Sequence, residues 1–282
     1  MTFASLRDLV AGGGVAVLTG AGISTGSGIP DYRGPNGSLR RHTPMTHQQF
    51  TRDVHARRRY WARSHLGWRH VAAARPNPGH LALAELEAAG LLAGVVTQNV
   101  DGLHRAAGSR RVIDLHGNLA RVRCRECGAV SARAELDRRL REANPGFGAR
   151  ISAASPLGAE VNPDGDVSLA DRDIAGFVMV GCPDCGGELE PDVVFFGATV
   201  PPERLAAAVA LVGSARALLV LGSSLAVMSG YRFVLRAGEL GIPVGIVNQG
   251  PTRGDARADF TLDGQLSAVL PRLSAELLGR AA

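Results

Sequence analysis

Four cysteines stand in the sequence as two matched C-x-x-C pairs, Cys124 with Cys127 and Cys182 with Cys185, and there is no fifth. A C-x-x-C turn sets two thiolates on one side of a metal ion, and two such turns complete a tetrahedron. The runs "CRECG" and "CPDCGG" also carry the glycines that such knuckles use for positive φ. A catalytic redox pair is the rival reading of a C-x-x-C, but two matched pairs favour one structural zinc. Four sulfur ligands leave no position for a catalytic water. Elsewhere, residues able to do chemistry gather in "TQNVDGLH" (97–104) and "LHGN" (115–118). Gln98, Asn99 and Asp101 are too close together to be independent surface residues. His116 follows an apolar run and is the residue type that takes a proton from a hydroxyl near neutral pH. His104 reads as a structural residue of the same loop.

A third cluster is "VAVLTGAGISTGSGIPDYRG", Val15 to Gly34. It has the form of a strand running into a dinucleotide loop, with Gly20 and Gly22 placed for backbone approach to a pyrophosphate and a helix expected to start near Ser24. The third glycine of the dehydrogenase fingerprint would fall at 25, where Thr25 stands. No clear acid follows some twenty residues on, and Asp31 and Arg33 lie beyond the glycines instead.

These clusters need elements to position them. Short apolar runs recur at 15–19, 94–97, 111–115, 193–196, 217–221 and 244–247, separated in several places by alanine-rich, helix-like stretches such as 80–90 and 202–212. Alternation of this kind predicts a mostly parallel α/β sheet covered on both faces. Five runs feed small or polar residues into their carboxyl ends: "GAG", "QNVD", "HG", "GSS" (222–224) and "NQG" (248–250). Such ends are where open α/β sheets bind ligands, so one large polar ligand is expected across that edge. Two segments break the pattern. Residues 40–70 are polar, basic and aromatic and are expected to be a helical insertion. Residues 144–167 carry too much Pro, Gly and Asn for a regular element and are expected to form a long loop.

The chain has 282 residues, a net charge of +5 and a pI near 9.5. That charge attracts anions without identifying one. All 31 basic residues are arginine, as a GC-rich bacterial genome would produce. No apolar run reaches membrane-spanning length and the N-terminus lacks a signal-peptide pattern, so a cytoplasmic protein with no membrane partner is expected.

Taken together, "GAGISTGSGIPDYRG", "TQNVDGLH", "LHGN", the paired C-x-x-C, "PDVVFFG", "GSSL" and "NQGPT" resemble the sirtuin family, in sirtuin order and over roughly residues 5 to 278. "YWARSHLGW", "SGYRFVL" and "NQGPTRGD" resemble its class II branch, which includes the mitochondrial sirtuin-four type. The resemblance implies a Rossmann-like domain (1–41, 76–118 and 190–282), a helical insertion (42–75) and a zinc module (119–189). It also implies consumption of NAD in protein-lysine deacylation.

In that reading Gly20, Ala21, Gly22, Ser24, Thr25, Asp31, Tyr32, Arg33, Gln98, Asn99, Asp101, Gly222, Ser223, Ser224, Asn248, Gln249, Gly250 and Leu266 bind NAD. Tyr32 shields the ribose, where many relatives carry Phe. Leu266 stands at the adenine-contacting position, and Ala198 replaces an acid common in the family. The acyl oxygen attacks the anomeric carbon, nicotinamide leaves, and His116 deprotonates the ribose, with Asn99 and Asp101 orienting it. The products are lysine and O-acyl-ADP-ribose. The acyl-lysine peptide or protein adds as a strand beside Val194, Phe195, Phe196 and Gly197 and beside Leu225 and Val227. The Tyr and Arg of desuccinylating relatives are replaced by Ser64 and Gly67, so neutral or longer acyl chains are expected to be preferred over succinyl. The alternatives are a protein mono-ADP-ribosyltransferase on the same NAD site, and a non-catalytic NAD sensor or zinc-ribbon nucleic-acid binder. Intact His116, Asn99 and Asp101, and the lack of an arginine–aromatic stripe, stand against the last.

Overall fold

The computed structural model describes residues 3–34, 37–40, 43–154, 162–167, 169 and 171–280. Among the described residues, nine strands run in chain order: β1 (Val15–Thr19), β2 (Leu92–Thr97), β3 (Val112–Asp114), β4 (Gly117–Cys124), β5 (Val130–Ala132), β6 (Leu189–Val193), β7 (Ala217–Leu221), β8 (Val244–Asn248) and β9 (Phe260–Asp263). The chain divides into two compact units, residues 1–37, 74–116 and 200–282, and residues 38–73 and 117–199.

The first unit is built on a six-stranded sheet of order β3-β2-β1-β7-β8-β9, every pairing of which is parallel. β1 and β7 are buried along their whole length, as continuous apolar runs under helices on both faces require. Val15, Val17, Leu219 and Leu221 pack in one core with Leu83 and Leu86 of the helix Pro78–Ala88 and Leu270 and Leu273 of the helix Leu266–Leu277. The alternate residues Ala16, Leu18, Leu218 and Val220, also buried, face the other side. There the helices Pro202–Gly213 and Met228–Leu240 contact each other and strands of the sheet. The strand β9 has no counterpart among the runs read from sequence; with two of its four residues exposed, it is an edge strand rather than a buried apolar one.

The register explains why five strand ends act together. Thr19 pairs with Thr97 on one side and Leu221 on the other, Thr97 pairs with Asp114, and Leu221 with Val247. Their five following loops therefore leave the sheet on one line, about 19 Å long from four inter-strand spacings of about 4.8 Å. The chain winds outward from β1 in one direction and from β7 in the other, which puts the topological switch point between them.

The second unit holds a three-stranded antiparallel sheet, β5-β4-β6, and the helix Val54–Ala73. Its core combines Phe50, Tyr60 and Trp61 with Val122, Leu136, Phe147 and Phe177. Three expectations are corrected here. The 193–196 run is not a strand of the parallel sheet: β6 ends at Val193 and pairs antiparallel with β4. Phe195 then stacks on Phe50 with ring centroids 4.8 Å apart, and the Phe196 carbonyl accepts from His47 N–H at 2.9 Å. Within 144–167, a helix spans Phe147–Ala154, because Phe147 is drawn into the aromatic core and Asn144 Nδ2 and Oδ1 bond the Leu140 carbonyl and the Val178 backbone at its start. Residues 155–161 of that segment lie outside the described residues. No α-helix starts near Ser24. Two short 3₁₀ turns, Ala21–Ile23 and Thr25–Ser27, stand there instead, and the second ends at Gly28 in the left-handed region (φ 81°).

Candidate active site

The loop after β1 owes its glycines to the protein as much as to any ligand. Gly22 N–H donates to the Gly222 carbonyl at 2.9 Å, and a Cβ built on Gly22 would lie 2.8 Å from Gly222 Cα. Gly20 is as tightly placed: its Cβ would lie 2.7 Å from the Gly222 carbonyl oxygen and 2.9 Å from Ser223 Cα. The loops after β1 and β7 thus touch main chain to main chain. With no helix starting near Ser24, the local N–H groups serve the turn instead: Ile23 N–H and Ser24 N–H close onto the carbonyls of Gly20 and Ala21. Thr25 takes the position of the missing glycine and hydroxyl-bonds the Gly22 carbonyl at 3.0 Å.

Ser24, almost fully buried, links the first loop to the second. It donates to Asp101 Oδ2 at 2.7 Å and accepts from Asn99 Nδ2 at 3.1 Å, and Asn99 Nδ2 also reaches the Gly20 carbonyl at 3.1 Å. Leu103 N–H holds the other Asp101 oxygen at 2.9 Å. Burial raises the Asp101 pKa above the ordinary carboxylate value, and these two donors pull against that. Gln98 Nε2 donates to Ser223 Oγ at 2.8 Å, tying the second loop to the fourth, and Ser223 Oγ also accepts from Leu225 N–H. Leu225 adopts φ 55°, a left-handed conformation that is uncommon and strained for a branched side chain.

Under these loops lies a buried polar chain. His104 Nε2 meets Thr19 Oγ1 at 2.9 Å, Thr19 donates to Thr97 Oγ1 at 2.8 Å, and Asn99 N–H donates to Thr97 Oγ1 at 3.1 Å. The His104 ring meets the His80 ring edge-on, with centroids 4.9 Å apart. Burial holds the two pKa values down, to about 3 for His104 and about 4 for His80, so both are neutral at physiological pH. The structural role expected of His104 is what it performs.

His116 stands at the end of β3, part-buried. Its Nδ1–H donates to the Gln98 carbonyl at 2.9 Å, and its Nε2 accepts from the Ser229 hydroxyl at 2.8 Å. A carbonyl can only accept, so this fixes the tautomer and leaves Nε2 as the basic nitrogen. Burial, partly offset by the Gln98 carbonyl, lowers its pKa to about 4. Neutral His116 presents a proton acceptor at Nε2 while its ring is held by the Gln98 backbone carbonyl. That arrangement is suited to removing a proton from a bound hydroxyl.

Other expected residues are placed as follows. Asp31 accepts from Gly34 N–H at 2.7 Å and so shapes its own turn; Tyr32 is part-buried and Arg33 exposed. Asn248 Nδ2 bonds the carbonyls of Gln249 and Gly250, closing the loop after β8, and Arg253 N–H donates to the Ser224 carbonyl. Leu266 begins the last helix and is buried in the core that includes Ile23. Leu225 and Val227 belong to the first unit, Val194 to Gly197 to the second. Two polar residues of the site escaped sequence reading. Ser229 lies on the first turn of the helix Met228–Leu240, and Asn77 caps the helix Pro78–Ala88 while its Nδ2 holds the Ile23 carbonyl at 2.7 Å. The N-P-x-x spacing after Asn77 was a capping signal that could have found it.

In the second unit the four cysteine sulfurs lie within 4.8 Å of one another, with Cys124 and Cys185 Sγ 3.5 Å apart and Cys127 and Cys182 Sγ 3.8 Å apart. Four thiolates on zinc, bonded at about 2.3 Å in a tetrahedron, sit about 3.8 Å apart. Backbone N–H groups of Cys127 and Gly187 point at Cys124 and Cys185 sulfurs, as a thiolate knuckle requires. The donor set fits one structural zinc.

The sequence matches the Sir2 family over residues 20–229, most of the chain. The chain belongs to the Sir2 family. This sirtuin is 57% identical over 274 residues to "NAD-dependent protein deacetylase 1" of Streptomyces coelicolor, covering 96% of this chain and 89% of that one. It is 45% identical over 258 residues to "NAD-dependent protein lipoamidase sirtuin-4, mitochondrial" of Bos taurus, covering 90% and 80%. Among solved structures, "Sir2-p53 peptide-NAD+" superposes with a TM-score of 0.69 at 29% identity, covering 99% of each chain. Among the described residues no helix is long and apolar enough to cross a membrane.

Proposed function

We propose that this sirtuin is an NAD-dependent protein-lysine deacylase that releases nicotinamide and forms O-acyl-ADP-ribose. The observation that carries the reading is the His116 ring, fixed by the Gln98 carbonyl with Nε2 as acceptor, at the edge where the five strand-end loops meet. The relatives' names, NAD-dependent deacetylases, supply the cosubstrate.

In this reading the loops after β1, β7 and β8 hold the dinucleotide, and Tyr32 and Arg33 lie on the segment that closes over it. Asn99 and Asp101, braced by Ser24, orient the nicotinamide ribose. The acyl oxygen displaces nicotinamide from the anomeric carbon. His116 Nε2 then takes the ribose hydroxyl proton, and that oxygen attacks the acyl carbon. Val194 to Gly197 and Leu225 with Val227 are the proposed peptide-pairing segments. The zinc bound by Cys124, Cys127, Cys182 and Cys185 is structural and takes no part in the chemistry.

The acyl preference follows from the helix Val54–Ala73. Gly67 has no room for an arginine, because a Cβ there would lie 2.4 Å from the Gly165 carbonyl oxygen. Ser64 is buried, and the cation beside it is committed elsewhere. Arg133 donates to the Ser64 carbonyl at 3.2 Å, lies 5.5 and 4.9 Å from the Trp61 and Trp68 ring centroids, and pairs with Asp137. Arg63 lies 3.8 Å from Asp166, whose pKa burial raises to about 8, and donates to the Leu169 carbonyl at 3.4 Å. An acidic acyl group would therefore have to draw Arg133 or Arg63 out of these contacts, whereas a neutral chain leaves both in place. An acyl-peptide panel (acetyl, succinyl, octanoyl and lipoyl on one sequence), assayed for nicotinamide release, tests the function. No nicotinamide release from any member refutes it.

A further inference from the structure

Taking a proton turns His116 into an imidazolium with two N–H donors, in surroundings that already disfavour its charge. Nδ1–H keeps the Gln98 carbonyl. Nε2–H needs a second acceptor once the ribose oxygen has turned to the acyl carbon. Among the described residues, the ring's hydrogen-bond partners are the Gln98 carbonyl and the Ser229 hydroxyl, with no charged side chain between them. A hydroxyl is able to donate in one state and accept in the other by rotating its O–H bond, without moving its oxygen.

We propose that Ser229 is a positioning residue for the acyl-transfer step, its hydroxyl donating to Nε2 of neutral His116 and accepting from Nε2–H of the charged ring. The inference rests on the deacylation reading. The step balances: the Ser229 O–H turns away from Nε2, the ribose hydroxyl proton moves to that freed lone pair, the electron pair left on the ribose oxygen forms the bond to the acyl carbon while the carbon's π pair to the lysine nitrogen moves onto that nitrogen, and the new Nε2–H is received by the Ser229 oxygen. Ser229 keeps its own proton, which turns towards solvent. The turn that carries Ser229 is built for closeness. The next residue is Gly230, where a Cβ would lie 2.5 Å from Gln98 Oε1, so Gln98, His116 and this helix end are held as one group.

The mechanism supplies a discriminating readout. Exchange of labelled nicotinamide into NAD reports the step before His116 acts, and O-acyl-ADP-ribose formation reports the step after. Ser229→Ala is expected to lower product formation about 10-fold or more, the range for losing a hydrogen bond to a charged group, while exchange stays within about twofold. Ser229→Thr keeps the hydroxyl and is expected to recover most of the rate. Exchange and product falling together in Ser229→Ala would show a merely structural role and overturn the proposal. So would unchanged product formation, or a Ser229→Thr variant as slow as Ser229→Ala. A wild-type chain that neither exchanges nicotinamide nor forms product on any acyl peptide overturns the deacylation reading itself, which separates the two failures.

Discussion

Two glycine-to-alanine changes should move stability in opposite directions. At Gly22 the added methyl would lie 2.8 Å from Gly222 Cα, 2.9 Å from its carbonyl oxygen and 3.1 Å from its carbonyl carbon. Ordinary carbon contacts are about 3.5–4.0 Å, so the methyl is about 1 Å too close to atoms that are all main chain. No rotamer relieves it; the loops after β1 and β7 must part, stretching the Gly22 N–H to Gly222 carbonyl bond. Overpacking of this kind costs about 1–3 kcal/mol. At about 2–4 °C per kcal/mol in a chain of this size, Gly22→Ala should melt about 2–12 °C below wild type. Because the same two loops are proposed to hold NAD, its KM should rise as well. Gly238 is the control: it is exposed in the helix Met228–Leu240, and a Cβ there meets nothing within 4 Å. Gly238→Ala gains helix propensity of about 0.5–1 kcal/mol and should melt slightly above wild type. The assay is thermal unfolding by circular dichroism with NAD titrations alongside. A Gly22→Ala protein melting at or above wild type would refute the claim that these glycines serve loop-to-loop contact.

His116→Ala should keep the fold and NAD binding but lower deacylation about 10²–10⁴-fold, the usual loss for a general base; turnover close to wild type contradicts the assignment. Metal analysis should find one zinc per chain, and Cys182→Ser should release it and unfold the second unit, because metal binding and folding are coupled in such modules. A folded, active, zinc-free protein would refute that. Succinyl-lysine should show at least about tenfold lower kcat/KM than acetyl-lysine, since burying an unpaired carboxylate costs several kcal/mol; a preference for succinyl would point to Arg63 or Arg133 leaving its present partners. His80, His104 and His116 sit at about 4, 3 and 4, against about 6.5 in an unfolded chain. Their contribution is therefore complete above about pH 6.5 and is lost as the pH falls towards 4, by up to about 1.4 kcal/mol per pH unit for each. Asp101 and Asp166, with pKa values raised, that of Asp166 to about 8, act in the opposite direction and offset part of the loss. The urea midpoint should drop between about pH 7.5 and 5.5, and a flat or rising midpoint would show that these rings are not held neutral.

The strand ends and the zinc knuckles were legible because both are local patterns: an apolar run followed by glycine, serine or asparagine, and cysteines three apart. What was hidden depended on distant partners. Two 3₁₀ turns replace the expected helix at Ser24 because Gly22 and Asn77 hold the loop to Gly222 and to the Pro78–Ala88 helix, contacts separated by as much as 200 residues. The 193–196 run has the composition of a buried parallel strand, yet β4 claims its start and Phe50 its aromatic ring. Ser229 looks like any serine at a helix start until His116 is brought to it from 113 residues away. Arg133, in a polar helix, gives no sign in sequence that two tryptophans will bury it.

The cysteine cluster has an evolutionary consequence. Both ends of the segment from 128 to 181 are pinned by the same four sulfurs, so the metal fixes where the segment leaves and returns, whatever its length. The entropy of closing such a loop grows only with the logarithm of its length, and doubling it costs about 0.6 kcal/mol. Residues added to an irregular stretch between the knuckles therefore cost little. This module can lengthen or shorten such a stretch between its clasps while the helices that carry Leu136 and Phe147 keep their places in its core.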